Sequence, residues 1–293
     1  MCSPLRKILA IIVQNHISLW VVCKVKVLKC GGERMKIACL QLDIAFGDID
    51  RNIENVKREI EKAMKNEPDV LVLPELWTTG YDLTRLDALA DEEGKKSKKL
   101  LAGLARDYKV NIAGGSIAKR TELGVTNTMY VYTRQGELAG EYSKVHLFQL
   151  MEEHKFLVAG DGTGHFELDG TPCAGLICYD IRFPEWVRTH TVNGAKVVFV
   201  AAEWPLARLT HWRTLLICRA IENQCYIVAC NRAGRDPNNI FAGHSLVIDP
   251  WGEVVAEAGE KQEILQAKLD FTKIEEVRRG IPVFEDRRPE LYK

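Results

Sequence analysis

Apolar and polar positions alternate along this chain in two periods, and short fully apolar runs stop abruptly between them. Residues 36–43, 110–118, 127–132, 195–202, 226–231, 245–248, 253–256 and 264–269 read as strands. Ile53, Val56, Ile60 and Met64 recur at helical spacing behind a cap at Asp50 or Asn52. Residues 97–108, 186–192, 209–223 and 271–279 also read as helices, with Trp212, Leu215, Leu216 and Arg219 on one side of the third. Gly136-Glu137 is a hairpin signal that pairs residues 138–142 back on the strand before it. Many strands and few helices suggest two sheets packed face to face with helices outside.

Three runs end on a reactive side chain. The run at residues 69–74 (DVLVLP) stops at Glu75, the hairpin strand is followed by Lys144, and Ala174-Gly175-Leu176-Ile177 stops at Cys178. The last lies in GLICYDIRFPE, residues 175–185, where Pro184 and Glu185 read as the first turn of a helix. In open α/β sheets, ligands bind beyond the carboxyl ends of strands. Three such ends could therefore converge on one site.

Composition narrows the class without naming the chemistry. The 293 residues are 46% hydrophobic and 27% charged, enough for a large core. Forty basic residues balance forty acidic ones, so no nucleic-acid footprint is expected. Residues 1–34 hold six basic side chains against one acidic, and their apolar runs are too short for a signal peptide or a membrane span. We read them as a non-native or disordered extension, because Met35 opens the first strand and Gly31-Gly32-Glu33-Arg34 fits a translated ribosome-binding site. The nine cysteines show no metal spacing, and their odd number suggests a reducing cytoplasm. No metal, cofactor or membrane partner is implied.

Glu, Lys and Cys form a chemically complete set for acyl transfer. A thiolate is the reactive form of cysteine and needs a base; a half-buried Glu75 can be that base. Lys144 and the backbone N–H of Tyr179 would stabilise the oxyanion. Singly, each residue has a plainer reading: Glu75 can open a helix, Lys144 can be a surface lysine, and Cys178 can be core. A glycosidase-like pair of Glu75 and Glu153, or a binding module without activity, also remains open at this level.

LPELW at residues 73–77, EYSKVHLF at 141–148 and GLICYDIRFPE together resemble the nitrilase superfamily of carbon–nitrogen hydrolases. The resemblance spans residues 35–293, read as a single domain, and implies a four-layer α-β-β-α sandwich acting as a homodimer. It implies a triad of Glu75, Lys144 and Cys178. A second glutamate is also implied, Glu153 in preference to Glu152, which would hold Lys144 and position the leaving group.

TTGYDL (78–83), MEEHKFLVAG (151–160), EWPLARLTHW (203–212) and RAIENQ (219–224) are similar to the bacterial omega-amidase branch. That implies release of ammonia from 2-oxoglutaramate or 2-oxosuccinamate through a cysteine thioester. Deaminated-glutathione amidase, N-carbamoyl amine hydrolase and aliphatic nitrilase are the alternatives. Arg208 or Arg182 is expected to bind the substrate carboxylate, with Tyr81, Phe148, Trp204 and Trp212 as pocket walls. Glu203 departs from the branch, which often shows Gln or Asn before Trp-Pro; its charge is expected to repel such a substrate.

Overall fold

A computed structural model describes residues 34–292. Apart from Arg34, the expected N-terminal extension lies outside the described residues. Arg34 itself is already in the first strand, paired with Asp270.

The first half of the chain builds one sheet and its covering helices. Strand β1 (Arg34–Gln41) leads to helix α1 (Ile49–Ala63), then β2 (Val70–Val72). A one-turn helix α2 (Leu86–Leu89) and a two-residue β3 (Asp91–Glu92) precede helix α3 (Lys95–Tyr108). Strands β4 (Asn111–Thr121), β5 (Gly124–Tyr132) and β6 (Leu138–Ser143) complete it. The helix cap differs from both residues expected. Asp48 caps α1 by accepting the N–H of Arg51 at 3.1 Å. Asn52 is buried, its side chain bonded to the backbone of Ala45 and Thr78. Asp48, Asp50 and Asn52 all lie within five positions, so the choice among these cap-forming residues is a matter of tertiary contacts.

The second half repeats the plan. Its strands are β7 (His165–Leu168), β8 (Thr171–Ile177), β9 (Val197–Ala202), β10 (Tyr226–Asn231), β11 (Leu246–Ile248) and β12 (Val254–Glu257). Helices α4 (Pro184–Val192) and α5 (Leu209–Asn223) lie between them. The last strand, β13 (Glu263–Asp270), returns to pair antiparallel with β1, and α6 (Thr272–Gly280) follows. The sheets run β13-β1-β2-β4-β5-β6, with β3 on β4, and β12-β11-β10-β9-β8-β7. Each has a parallel centre, β1-β2-β4 and β8-β9-β10.

Side-chain alternation assigns the layers. Ile37 and Cys39, Val70 and Val72, and Met129 and Val131 face the second sheet's strands. Their neighbours Ala38, Leu40, Leu71, Leu73, Tyr130 and Tyr132 pack instead on Val56 and Ile60 of α1 and Leu101 and Ala105 of α3. Because the strand period is two, a one-residue slip would exchange these faces, so burial on both sides fixes the register. Strands β9 and β10 are buried throughout, as central parallel strands covered on both faces are. Trp212, Leu216 and Ala220 of α5 join that core. The result is the expected α-β-β-α sandwich. No helix among the described residues is long and apolar enough to cross a membrane.

Candidate active site

Three of the four candidate catalytic groups leave the carboxyl end of a strand, and the fourth, Glu153, opens a 3-10 turn. Glu75 lies beyond β2 and Lys144 beyond β6, both in the first sheet; Cys178 lies beyond β8 in the second. A bulge in β4 shapes the Glu75 end. The β4–β5 register shifts between Ala113 and Ser116, and Gly115 there has φ +59°. A side chain at Gly115 would strike the Pro74 carbonyl, so only glycine lets these backbones approach. Ser116 then grips the loop: its N–H donates to Pro74 O at 3.1 Å and its hydroxyl accepts the Leu76 N–H at 3.0 Å.

Glu75 and Lys144 are wholly buried and in contact, at 2.9 Å. Lys144 also donates to Glu153 Oε1 at 2.6 Å. An ammonium has three N–H donors, so one remains for a ligand. Asn127 of β5 ties the pair together: its side-chain amide donates to Glu75 Oε1 at 2.8 Å, and its backbone carbonyl accepts the Lys144 backbone N–H at 2.8 Å. Glu75 Oε2 accepts the Glu203 N–H at 2.9 Å. Glu153 Oε2 accepts the Phe148 N–H at 2.7 Å, and Tyr81 donates its hydroxyl to Oε1. Glu152 is exposed and pairs with Lys155, which leaves Glu153 as the second glutamate at Lys144.

These contacts set the electrostatics. Burial pushes the Glu75 carboxyl above its usual value, against the pull of Lys144 and with Glu153 adding to the rise. Burial also opposes the Lys144 charge, but Glu153 and then Glu75 outweigh it and hold the ammonium protonated. Burial, then Glu75, pushes the Cys178 thiol well up. The resting site thus holds a thiol beside a carboxyl of raised proton affinity, which is the pairing a general base requires.

Cys178 has φ +46°, a left-handed conformation costing a non-glycine residue about 1–3 kcal/mol. Asp180 over-determines it. Its Oδ2 accepts the Ile177 N–H at 2.9 Å and the Tyr142 hydroxyl at 2.7 Å. Its Oδ1 accepts the His146 N–H at 3.2 Å and lies 2.8 Å from His146 Nδ1. The Cys178–Arg182 turn is thereby clasped to the segment carrying Lys144. This is a short 3-10 turn, and its first N–H groups lack intrahelical acceptors, Tyr179 among them.

A small cavity ends on Cys178, lined also by Phe148, Met151, Tyr179, Arg182, Glu203, Trp204, Pro205 and Arg208. Arg182 lies over the Trp204 ring at 4.8 Å, and Arg208 over the Phe148 ring at 5.4 Å. Burial lowers the Arg182 pKa and the charge of Arg208 adds to this, so two cations share one mouth. Tyr81, expected in the wall, lies one layer behind it on Glu153. Trp212 is also behind, packed on Trp204 and donating to His244 O at 2.8 Å.

Glu203 corrects the expectation of repulsion. Its side chain is fully buried, and its Oε2 accepts from Arg232 Nη1 at 2.7 Å. Burial pushes this carboxyl up to about 8 against the pull of Arg232, which follows β10, so the group is not the bare negative charge that the sequence suggested. Sequence reasoning did not single out Arg232, Asn127 or Asp180. Asn127 sits at an inward position of an alternating strand, which is the one signal that could have marked it.

The sandwich and the buried Glu–Lys–Glu–Cys cluster define a hydrolase of carbon–nitrogen bonds of the nitrilase type. The carbon-nitrogen hydrolase family profile matches residues 36–279, and the chain belongs to that family. It is 56% identical to the 2-oxoglutaramate amidase of Bacillus subtilis over 87% of this chain and 98% of that one. It is 34% identical to the omega-amidase YafV of Escherichia coli K12 over 86% of this chain and 96% of that one. The crystal structure of Saccharomyces cerevisiae Nit3, a member of branch 10 of the nitrilase superfamily, superposes with TM-score 0.82 at 30% identity, covering 88% of this chain and 98% of that one.

Proposed function

We propose that this enzyme releases ammonia from the terminal amide of a small 2-oxo acid, 2-oxoglutaramate or 2-oxosuccinamate. One observation carries the substrate class. Arg182 and Arg208, with no carboxylate partner among the described residues, face a cavity that ends on a nucleophile. Two guanidiniums lining the same cavity as the nucleophile suit a carboxylate at the far end of the substrate. Similarity to the Bacillus subtilis enzyme supports the same choice.

The reaction follows from the site. Glu75 takes the Cys178 proton as sulfur attacks the amide carbon. The oxyanion is met by the free Lys144 N–H and the Tyr179 N–H. Glu75 returns the proton to nitrogen, the C–N bond breaks, and ammonia leaves a thioester on Cys178. Water then gives its proton to Glu75 and its oxygen to the acyl carbon. The C–S bond breaks, sulfur regains the proton, and the acid is released. Glu153 holds Lys144 between the two carboxylates throughout.

Arg208→Ala and Arg182→Ala are each expected to raise KM for 2-oxoglutaramate about 10–100-fold and to change kcat much less. The effect on butyramide, which has no carboxylate, should be small. Equal losses on both amides would remove the arginines from the carboxylate site. We also propose a cytoplasmic homodimer. Free thiols at all six described cysteines fit a reducing compartment. Light scattering at twice the chain mass and recovery in the cytosolic fraction would agree; a monomer, or recovery outside the cytosol, would not.

A further inference from the structure

Glu203 has a free oxygen that the mechanism does not use. Its backbone N–H holds Glu75, and its Oε2 is taken by Arg232. Arg232 is itself fixed, by the Ile44 carbonyl at 2.6 Å, the Arg235 carbonyl at 3.2 Å and the Phe241 ring at 4.1 Å. Glu203 Oε1 is fully buried with no hydrogen-bond partner, in a residue that lines the Cys178 cavity. Buried polar atoms in native proteins are almost always paired, so an orphan in a substrate cavity points to a ligand.

The donor inventory says which ligand atom. A 2-oxo acid amide offers three kinds of oxygen. Arg182 and Arg208 face its carboxylate, and Lys144 and Tyr179 face its amide oxygen. The 2-oxo oxygen between them has no donor unless the cavity wall supplies one. We propose that Glu203 is a specificity-determining residue that donates a hydrogen bond from Oε1 to the 2-oxo oxygen of the substrate. This rests on the amidase reading above.

The protonation state agrees. Burial raises the Glu203 carboxyl to about 8; Arg232 opposes the shift, while Glu75 and Asp236 add to it. Because Oε2 accepts from Arg232, a proton on this carboxyl belongs on the unpartnered Oε1. A neutral donor also removes the repulsion that an anionic substrate would otherwise meet there.

The test compares two amides that differ only at that oxygen: 2-oxoglutaramate and glutaramate, in which a methylene replaces the ketone. The wild-type enzyme is expected to favour the keto acid by about 30-fold or more in kcat/KM. Glu203→Gln can accept from Arg232 through Oε1 and donate through Nε2, so the ratio should stay within about threefold of wild type. Glu203→Met has no donor and should bring the ratio to near one. Each ratio is taken on one protein, so loss of folded enzyme cancels. Above pH 8 the wild-type ratio should fall as Glu203 ionises, while that of Glu203→Gln stays flat. An unchanged ratio in Glu203→Met, or no wild-type preference, overturns the inference and leaves the amidase reading standing. If the wild-type enzyme hydrolyses neither amide, the proposed function fails and the inference with it.

Discussion

Cys178→Ala is expected to lower kcat for amide hydrolysis by about 10⁴-fold or more, because no other group can form the thioester. Glu75, Lys144 and Glu153 would still bind and polarise the amide, so KM should change little. The fold should persist, since the turn is held by Asp180 and not by the sulfur. Ammonia release measures the loss. Acid-quenched wild-type enzyme should carry an acyl group on the peptide containing Cys178, and peptide mapping is needed because Cys218 is an exposed thiol. Near-wild-type ammonia release from the alanine variant would end the mechanism.

Lys144→Met should cost both activity and stability. The ammonium is fully buried between two fully buried carboxylates. Breaking a buried ion pair on one side typically costs about 3–5 kcal/mol. Loss of an oxyanion donor lowers kcat by about 10²–10³-fold. The pH dependence identifies the cause. In the wild-type protein Glu75 already titrates above its usual value, with Lys144 restraining the rise. Without that restraint the folded Glu75 carboxyl holds a proton that the unfolded chain releases. The folded state then binds more protons, so stability falls as pH rises from the ordinary carboxylate range upward. Denaturant melts should show Lys144→Met closer to wild type at pH 5 than at pH 8. A deficit independent of pH would mean that lost packing, not uncompensated charge, is responsible.

The strand ends were legible because an apolar run that stops on a polar residue marks where a chain leaves the core. Glu75 and Cys178 show that local signature, whereas Lys144 follows the polar end of a hairpin strand, LAGEYS. Their meeting is set by sheet order and register, which no local pattern contains, and it entered through the resemblance of three motifs to one family. Supporting residues were hidden for a different reason. Asn127 bonds Glu75 across 52 residues, Asp180 bonds Tyr142 across 38, and Glu203 bonds Arg232 across 29. Glu203 read alone is an extra charge; only its burial in the folded chain makes it a neutral wall. Strand β7 was missed because four residues, HFEL, are too few to display a period. Tyr81 was placed one layer too far forward, since an aromatic near a motif does not announce which way its hydroxyl turns.

The clasp made by Asp180 has a consequence for the order of events in this molecule. The proposed base and its ammonium partner belong to one sheet, the proposed nucleophile and Glu203 to the other. Asp180 and the Glu203–Glu75 hydrogen bond are stitches across the seam between them. Neither sheet carries a competent site, so chemistry begins only when the two halves of the chain have docked. Catalytic competence is therefore a readout of that long-range closure, and a chain with all its secondary structure but an open seam would be inert.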